Sequence, residues 1–151
     1  METGALRVLQ IHNRYREPGG EDAVAAAEAD LLRGCGHAVI EHHVTNPSGG
    51  VAAAASLAAA PWNPASAREM RRAIRESAPD VAHLHNTWFT LSPSVLGALS
   101  GAGVPVVMTL HNYRLVCANA LLFREGRPCR DCVGRSPWPG VRHRCYHDSI
   151  V

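Results

Sequence analysis

The chain has no lysine: all 15 of its basic residues are arginine. A P-loop, which needs a lysine on the phosphates, is therefore excluded, and the dinucleotide fingerprint G-x-G-x-x-G is missing as well. No apolar stretch reaches the roughly 18 residues that a membrane span requires. Met1 to Ala5 includes Glu2 and has neither a basic nor an apolar region of the kind a secretory signal carries, so a soluble, cytoplasmic protein is expected. No Ser-His-Asp order and no paired-carboxylate motif stands out. The formal charge of +2 is too small to argue for a nucleic-acid partner. Use of arginine alone reads first as genome composition; the second reading is anion binding, because guanidinium forks suit phosphate and carboxylate.

What remains is a globular composition, 46% apolar and 19% charged over 151 residues. That length supports one domain with a real core, burying roughly 70% of its extended-chain surface, and leaves no room for two full domains. Three apolar runs end in the dipeptide His-Asn: Leu6 to Ile11 into His12-Asn13, Val81 to Leu84 into His85-Asn86, and Val104 to Leu110 into His111-Asn112. If these runs are neighbouring parallel strands, their imidazoles and amides emerge along one sheet edge. In open α/β sheets ligands sit outside the carboxyl ends of the strands. His12, Asn13, His85, Asn86, His111 and Asn112 therefore read as a polar rim able to bond hydroxyl groups, with metal binding by the three histidines as a weaker reading. His83, two residues short of a tip, reads as a hydrogen-bonded core residue.

Between the runs the pattern alternates. The spacing predicts a helix over Glu21 to Arg33, a strand over His37 to Val44, a helix over Ser66 to Glu76, a strand over Asp80 to Leu84, a helix over Ser92 to Ser100 with Pro93 just inside its start, and a strand over Val104 to Leu110. Such alternation predicts an α/β fold with a parallel, Rossmann-like sheet and helices on both faces. Thr45 to Pro64 is less regular: a loop, a short helix within Val51 to Ala60, and a break at Pro61 to Pro64, read as a mobile surface excursion. Gly19-Gly20-Glu21 places two residues without side chains at a strand-to-helix turn, exposing backbone N–H groups at a positive helix end. That is the physical basis of phosphate binding there, with a plain turn as the equal alternative. Trp62, Trp88 and Trp138 fall in predicted loops, where packing is the commoner explanation and stacking on a sugar ring the other.

After Asn112 the periodicity fades, so a boundary is placed there, with residues 1–112 as the Rossmann-like domain and 113–151 as an irregular tail packed on it. Seven arginines against three acids make this tail locally basic. It also holds four cysteines spaced Cys117-x11-Cys129-x2-Cys132-x12-Cys145. This spacing suits a structural tetrahedral zinc site. An iron–sulfur cluster, disulfides and unligated thiols are the other readings, and His143 or His147 lies close enough to replace Cys145. Cys35, between two glycines, reads as a small residue at a helix end.

These residues together resemble a known family. The opening LRVLQIHNRYREPGGEDAVAAAEADLLRGCGHAV, the middle PDVAHLHNTWFTLSPSVLGAL and the run GVPVVMTLHNYRLVCANALLFREGRPCRDCVGRSPWPGVRHRCY are similar to the N-terminal domain of family 4 glycosyltransferases, in the subgroup with a cysteine-bearing insert after the last strand. The resemblance implies one half of a GT-B fold, the half that mainly shapes the acceptor site. It implies retaining transfer of a sugar from a nucleotide-sugar, with no metal at the reacting centre, so that zinc would be structural. It also implies that Gly19-Gly20 lies near the donor's diphosphate and that His111 lies near the transferred sugar as the catalytic residue. The partners implied are a sugar or lipid-linked acceptor, through which peripheral membrane association could arise, and a donor-binding domain in cis or in trans. That second domain would follow Val151, so this stretch alone is expected to be catalytically silent, whether an expressed domain, a truncated product or half of a split enzyme. The competing reading is a non-catalytic zinc-containing module whose arginine-rich tail recognises a protein or polyanion.

Overall fold

The computed structural model describes residues 4–14 and 19–146. They divide into two compact units, Met1–Thr109 and Leu110–Val151. In the first unit the order is β1 (Arg7–Arg14), α1 (Gly20–Gly34), β2 (Ala38–Thr45), α2 (Gly50–Ala58), α3 (Pro64–Ser77), β3 (Val81–Leu84), α4 (Ser94–Gly101) and β4 (Val106–Met108). The strands form one parallel sheet in the order β2-β1-β3-β4. This is the predicted α/β architecture.

The strand order reverses at β1, whose neighbours are β2 on one side and β3 on the other. Right-handed crossovers then require α1 and the pair α3 and α4 to lie on opposite faces. Strand alternation sorts the side chains accordingly. Leu9 and Ile11 of β1 join Ala82 and Leu84 of β3, Met70 and Ile74 of α3, and Val95, Ala98 and Leu99 of α4 in the apolar core. Burying a side chain of this size stabilises by about 1.5–3 kcal/mol. The intervening residues Gln10 and His12 face α1, where Gln10 Nε2 donates to the Ala25 carbonyl at 2.8 Å.

Each element has a local cause. Asn63, in the predicted break, caps α3: its Oδ1 accepts from the Ala65 and Ser66 N–H groups at 3.1 and 3.3 Å, and Pro64 takes the first helical position, where a missing N–H costs nothing. Ala67, Met70 and Ile74 form the buried stripe of α3, while Arg68, Arg71, Arg72 and Arg75 are on the outside or its margins. The short helix α2 buries none of its residues, as its run of alanines leads one to expect.

Three boundaries differ from the sequence expectation. β1 continues to Arg14, so His12 lies inside the strand rather than closing it. β4 covers only Val106–Met108: it starts after Pro105, which has no N–H for the ladder, and it ends two residues short of the expected Leu110. α4 begins at Ser94, with Pro93 as its N-cap rather than just inside its start.

The second unit contains a two-stranded antiparallel hairpin, β5 (Phe123–Arg124) with β6 (Arg127–Pro128), and a short helix α5 (Trp138–Arg142). The hairpin turn is Glu125-Gly126, both with positive φ, +52° and +76°, the pattern of a type I′ turn. Trp138 opens α5 instead of lying in a loop. Among described residues 110–146 only Ala120 and Gly140 are buried. The described residues of this unit form no apolar core of their own.

Candidate functional site

The switch between β1 and β3 is where an open α/β sheet offers a ligand crevice. Parallel register places His12 of β1 opposite His43 of β2, and Ile11 opposite Leu84 of β3, which carries His85 to the position beside His12. The ring centroids confirm the row, 5.9 Å from His12 to His43 and 5.8 Å from His12 to His85. The expected partner in this row, His111, belongs to the second unit. His43, which was read only as part of a strand, takes that place.

This row is closed rather than open. Gln10 and His12 are 0% exposed and His85 is 3% exposed, since α1 lies over them. The face of α1 is chosen to match: Asp22, Ala25 and Glu28, at helical spacing, meet the polar side chains of the sheet. His12 Nε2 lies 3.1 Å from Asp22 Oδ1, and Asp22 Oδ2 accepts from the Gly19 N–H at 2.8 Å. Burial works to raise the Asp22 carboxyl, but the Gly19 bond, the His12 bond and the charges of His12 and Arg14 outweigh it, and its pKa falls below the usual value. Gln10 links two histidines, with Nε2 3.3 Å from His85 Nε2 and Oε1 3.3 Å from His43 Nε2. The His43 pKa is lowered, first by burial and then by the Arg14 charge, against the pull of Glu41. His83 has the hydrogen bond expected of it, its Nε2 2.8 Å from Thr109 Oγ1, but it is half-buried and not part of the core.

Glu28 stands at the open margin of the same layer. Its Oε2 lies 3.4 Å from His83 Nε2 and 3.5 Å from His85 Nε2, and among the described residues these three form the group whose ligand atoms all fall within 4.8 Å. Two imidazoles and a carboxylate can hold a divalent ion, but here the nitrogens already have Thr109 and Gln10 as neighbours. Of the expected strand-tip histidines, His12 and His85 stand side by side.

The asparagines do a different job from the expected one. Asn13 N donates to the Asn86 carbonyl at 2.8 Å, and Asn86 Nδ2 donates back to the Asn13 carbonyl at 3.2 Å. Asn13 Oδ1 accepts from the Thr90 and Leu91 N–H groups, and Asn86 Oδ1 from that of Trp88. Asn46, just past β2, accepts from Phe89 N, Thr90 N and Thr90 Oγ1. Three amides, one at the carboxyl end of each of three strands, thus hold the backbone of Trp88 to Leu91. They shape the edge of the sheet and leave little capacity for a ligand.

The described residues leave open space around Gly19 and Gly20. A Cβ at either would meet no described atom within 4 Å, and neither has a positive φ. Neither packing nor backbone conformation among the described residues calls for glycine here. What the pair leaves is backbone without side chains at the start of a 15-residue helix, with Glu21 and Asp22 in its first turn and the Gly19 N–H bonded to Asp22.

In the second unit, His111 and Asn112 are half-buried, and Asn112 Oδ1 accepts from the Arg114 N–H at 3.0 Å. Cys117, Cys129, Cys132 and Cys145 all line one small cavity. The Cys145 thiol is pushed up, mainly by burial and further by the other three cysteines, against Arg124. His143 is exposed and does not line that cavity, and His147 lies outside the described residues.

No described helix is long and apolar enough to cross a membrane. A family model described as Glycosyltransferase Family 4 matches residues 18–140. Comparison with curated proteins and with solved structures found no match.

Proposed function

Because the chain belongs to glycosyltransferase family 4, we propose that it is the acceptor-side half of a retaining enzyme that moves a sugar from a nucleotide-sugar to a sugar or lipid-linked acceptor. The observation that carries this reading is the pair Gly19-Gly20, open and uncrowded, at the start of the helix that follows β1, where the strand order reverses. In this reading the N–H groups of Gly20 and Glu21 face the donor's diphosphate, where the helix dipole favours negative charge. His111 serves the transferred sugar. The buried histidine layer sets the angle between β1 and α1 and so aims the glycine turn; it does not touch substrate.

The donor-binding domain, in cis or in trans, supplies most of the nucleotide contacts. A preorganised electrostatic site is usually the largest catalytic term, so the chain alone is silent in transfer assays. Calorimetric titration with a panel of nucleotide-sugars and acceptor sugars tests the reading. Saturable binding weakened by Gly20→Val and by His111→Ala, and kept when tail arginines are changed, supports it. Binding indifferent to both substitutions contradicts it.

A second reading has one observation in its favour: Arg127, Arg130, Arg135, Arg142 and Arg144 are all exposed. If these recognise a polyanion, affinity falls steeply with salt through counterion release, and it falls again in a variant lacking Arg130, Arg142 and Arg144.

A further inference from the structure

We propose that Cys117, Cys129, Cys132 and Cys145 hold one zinc ion, and that this ion takes the place of the missing core of the second unit. The inference is independent of the transferase reading, since it concerns what orders residues 110–146.

The first argument is energetic. Only Ala120 and Gly140 are buried among the described residues of this unit, while Leu115, Leu121 and Trp138 are 70%, 67% and 67% exposed. Polypeptides of about 40 residues or fewer usually need disulfides, metals or oligomerisation to hold a fold. All four cysteines are free thiols in the structure.

The second argument is convergence. The four sulfur-bearing residues come from four separate local devices. Cys117 opens a turn closed by Ala120 N to its carbonyl at 3.0 Å. The β5–β6 hairpin delivers Cys129, whose N–H donates to the Leu122 carbonyl at 2.8 Å. Cys132 follows three residues later in a turn tied by Val133 N to the Arg130 carbonyl. Cys145 follows α5, its N–H bonded to the Gly140 carbonyl at 2.9 Å. All four nevertheless line the same cavity, of about 20 Å³. Space of that order admits one water-sized particle, so a single ion fits and a larger ligand does not.

The third argument is the wall. A Cβ on Gly140 would sit 2.8 Å from Ala118 Cβ and 3.6 Å from Cys132 Sγ. The chain forgoes a side chain here to let the cysteine-bearing segments approach. Cys35, the fifth cysteine, is exposed and in the other unit, which makes it an internal control.

The charge also fits. Four thiolates with one Zn²⁺ carry a net charge of about −2. The surplus of arginine over acids in this part of the chain offsets it, with Arg124 acting directly on Cys145. Sulfurs about 2.3 Å from a shared zinc stand about 3.8 Å apart. No three of these sulfurs are yet within 4.8 Å of one another among the described residues, so loading draws the cavity inward.

The test uses the full 151-residue chain, produced with zinc in the medium and purified under reducing conditions. Elemental analysis should find about one zinc per chain, and cobalt exchanged into the protein should show the intense thiolate charge-transfer and d–d absorption of a tetrahedral sulfur site. Removal of metal by a chelator should collapse the amide resonances of residues 110–146 while those of the first unit stay dispersed. Cys129→Ser and Cys132→Ser should each abolish stoichiometric zinc, and Cys35→Ser should not. Should the serine variants fail to fold, the cobalt spectrum of the unaltered chain still decides. Metal-free protein with an ordered second unit, two disulfides by mass after alkylation, or iron in place of zinc would each overturn the proposal.

Discussion

The His12 imidazole and the Asp22 carboxylate meet at 3.1 Å, joining the middle strand of the sheet to the first turn of the helix that follows it. His12 is fully buried and its other ring nitrogen, Nδ1, has no hydrogen-bond partner among the described residues. Asp22 is therefore its principal anchor, and through Gly19 the same carboxylate also sets the start of α1.

Replacing Asp22 by alanine removes both bonds. Leaving a buried polar partner unmade costs about 1–3 kcal/mol, and losing a helix-start bond adds about 1 kcal/mol. Urea denaturation should show a loss in this range, with Asp22→Asn intermediate. A loss under a few tenths of a kcal/mol would show that the pair does not hold the layer together.

The same residue makes stability depend on acid. The Asp22 pKa in the folded chain lies below 3.8, so its contribution is complete above that value and is lost as pH falls through the lower folded value. Melting curves of Asp22→Asn should lack the part of the acid slope that lies below about pH 4 in the parent chain.

His43 acts in the same direction but nearer neutrality. Its folded pKa lies below 6.5 because burial disfavours the imidazolium. Its share of stability is present above 6.5 and declines as pH falls from there toward the folded value. His43→Gln, which does not titrate, should flatten the melting temperature between pH 6.5 and 5 relative to the parent.

Two glycine substitutions should behave oppositely. Gly20→Ala meets no described atom, and alanine favours helix over glycine by up to about 1 kcal/mol, so stability should be unchanged or slightly raised. Gly140→Ala brings a methyl group within 2.8 Å of Ala118 and should destabilise the second unit by about 1–3 kcal/mol. Hydrogen exchange resolved by segment would separate the two effects.

Asn46→Ala should loosen the segment from Trp88 to Leu91, where Asn46 accepts from two backbone N–H groups and the Thr90 hydroxyl. Faster amide exchange at Phe89 and Thr90, with β1 and β3 unaffected, is the expected outcome.

The parallel sheet was legible because Leu9, Ile11, Ala82 and Leu84 sit in short apolar runs separated by helical spacing, a pattern that fixes both period and direction. The polar layer was only half legible. His12 and His85 were found from their His-Asn dipeptides, but a strand read alone does not reveal which face a helix will cover, and they were expected at an open rim. A signal was available: Gln10 and His12, then His83 and His85, alternate with apolar neighbours, and Asp22 and Glu28 fall with Ala25 on one side of the next helix. Polar strand positions opposite acidic helix positions mark a complementary buried interface. Asn46 was missed because its role depends on a loop more than 40 residues away, and His43 because its own segment carries no dipeptide tag. His111 was expected in register, but β4 ends at Met108, three residues before it.

The central claim is that ligands meet this chain at the carboxyl end of β1, on the turn that opens α1. Residue-resolved amide shifts during titration with nucleotide-sugars and acceptor sugars test it most directly. The account predicts saturable perturbation centred on Gly19 to Asp22, absent in Gly20→Val. Perturbation confined to the arginines of residues 110–146 and erased by salt, or none at the glycine turn at saturating ligand, would contradict it.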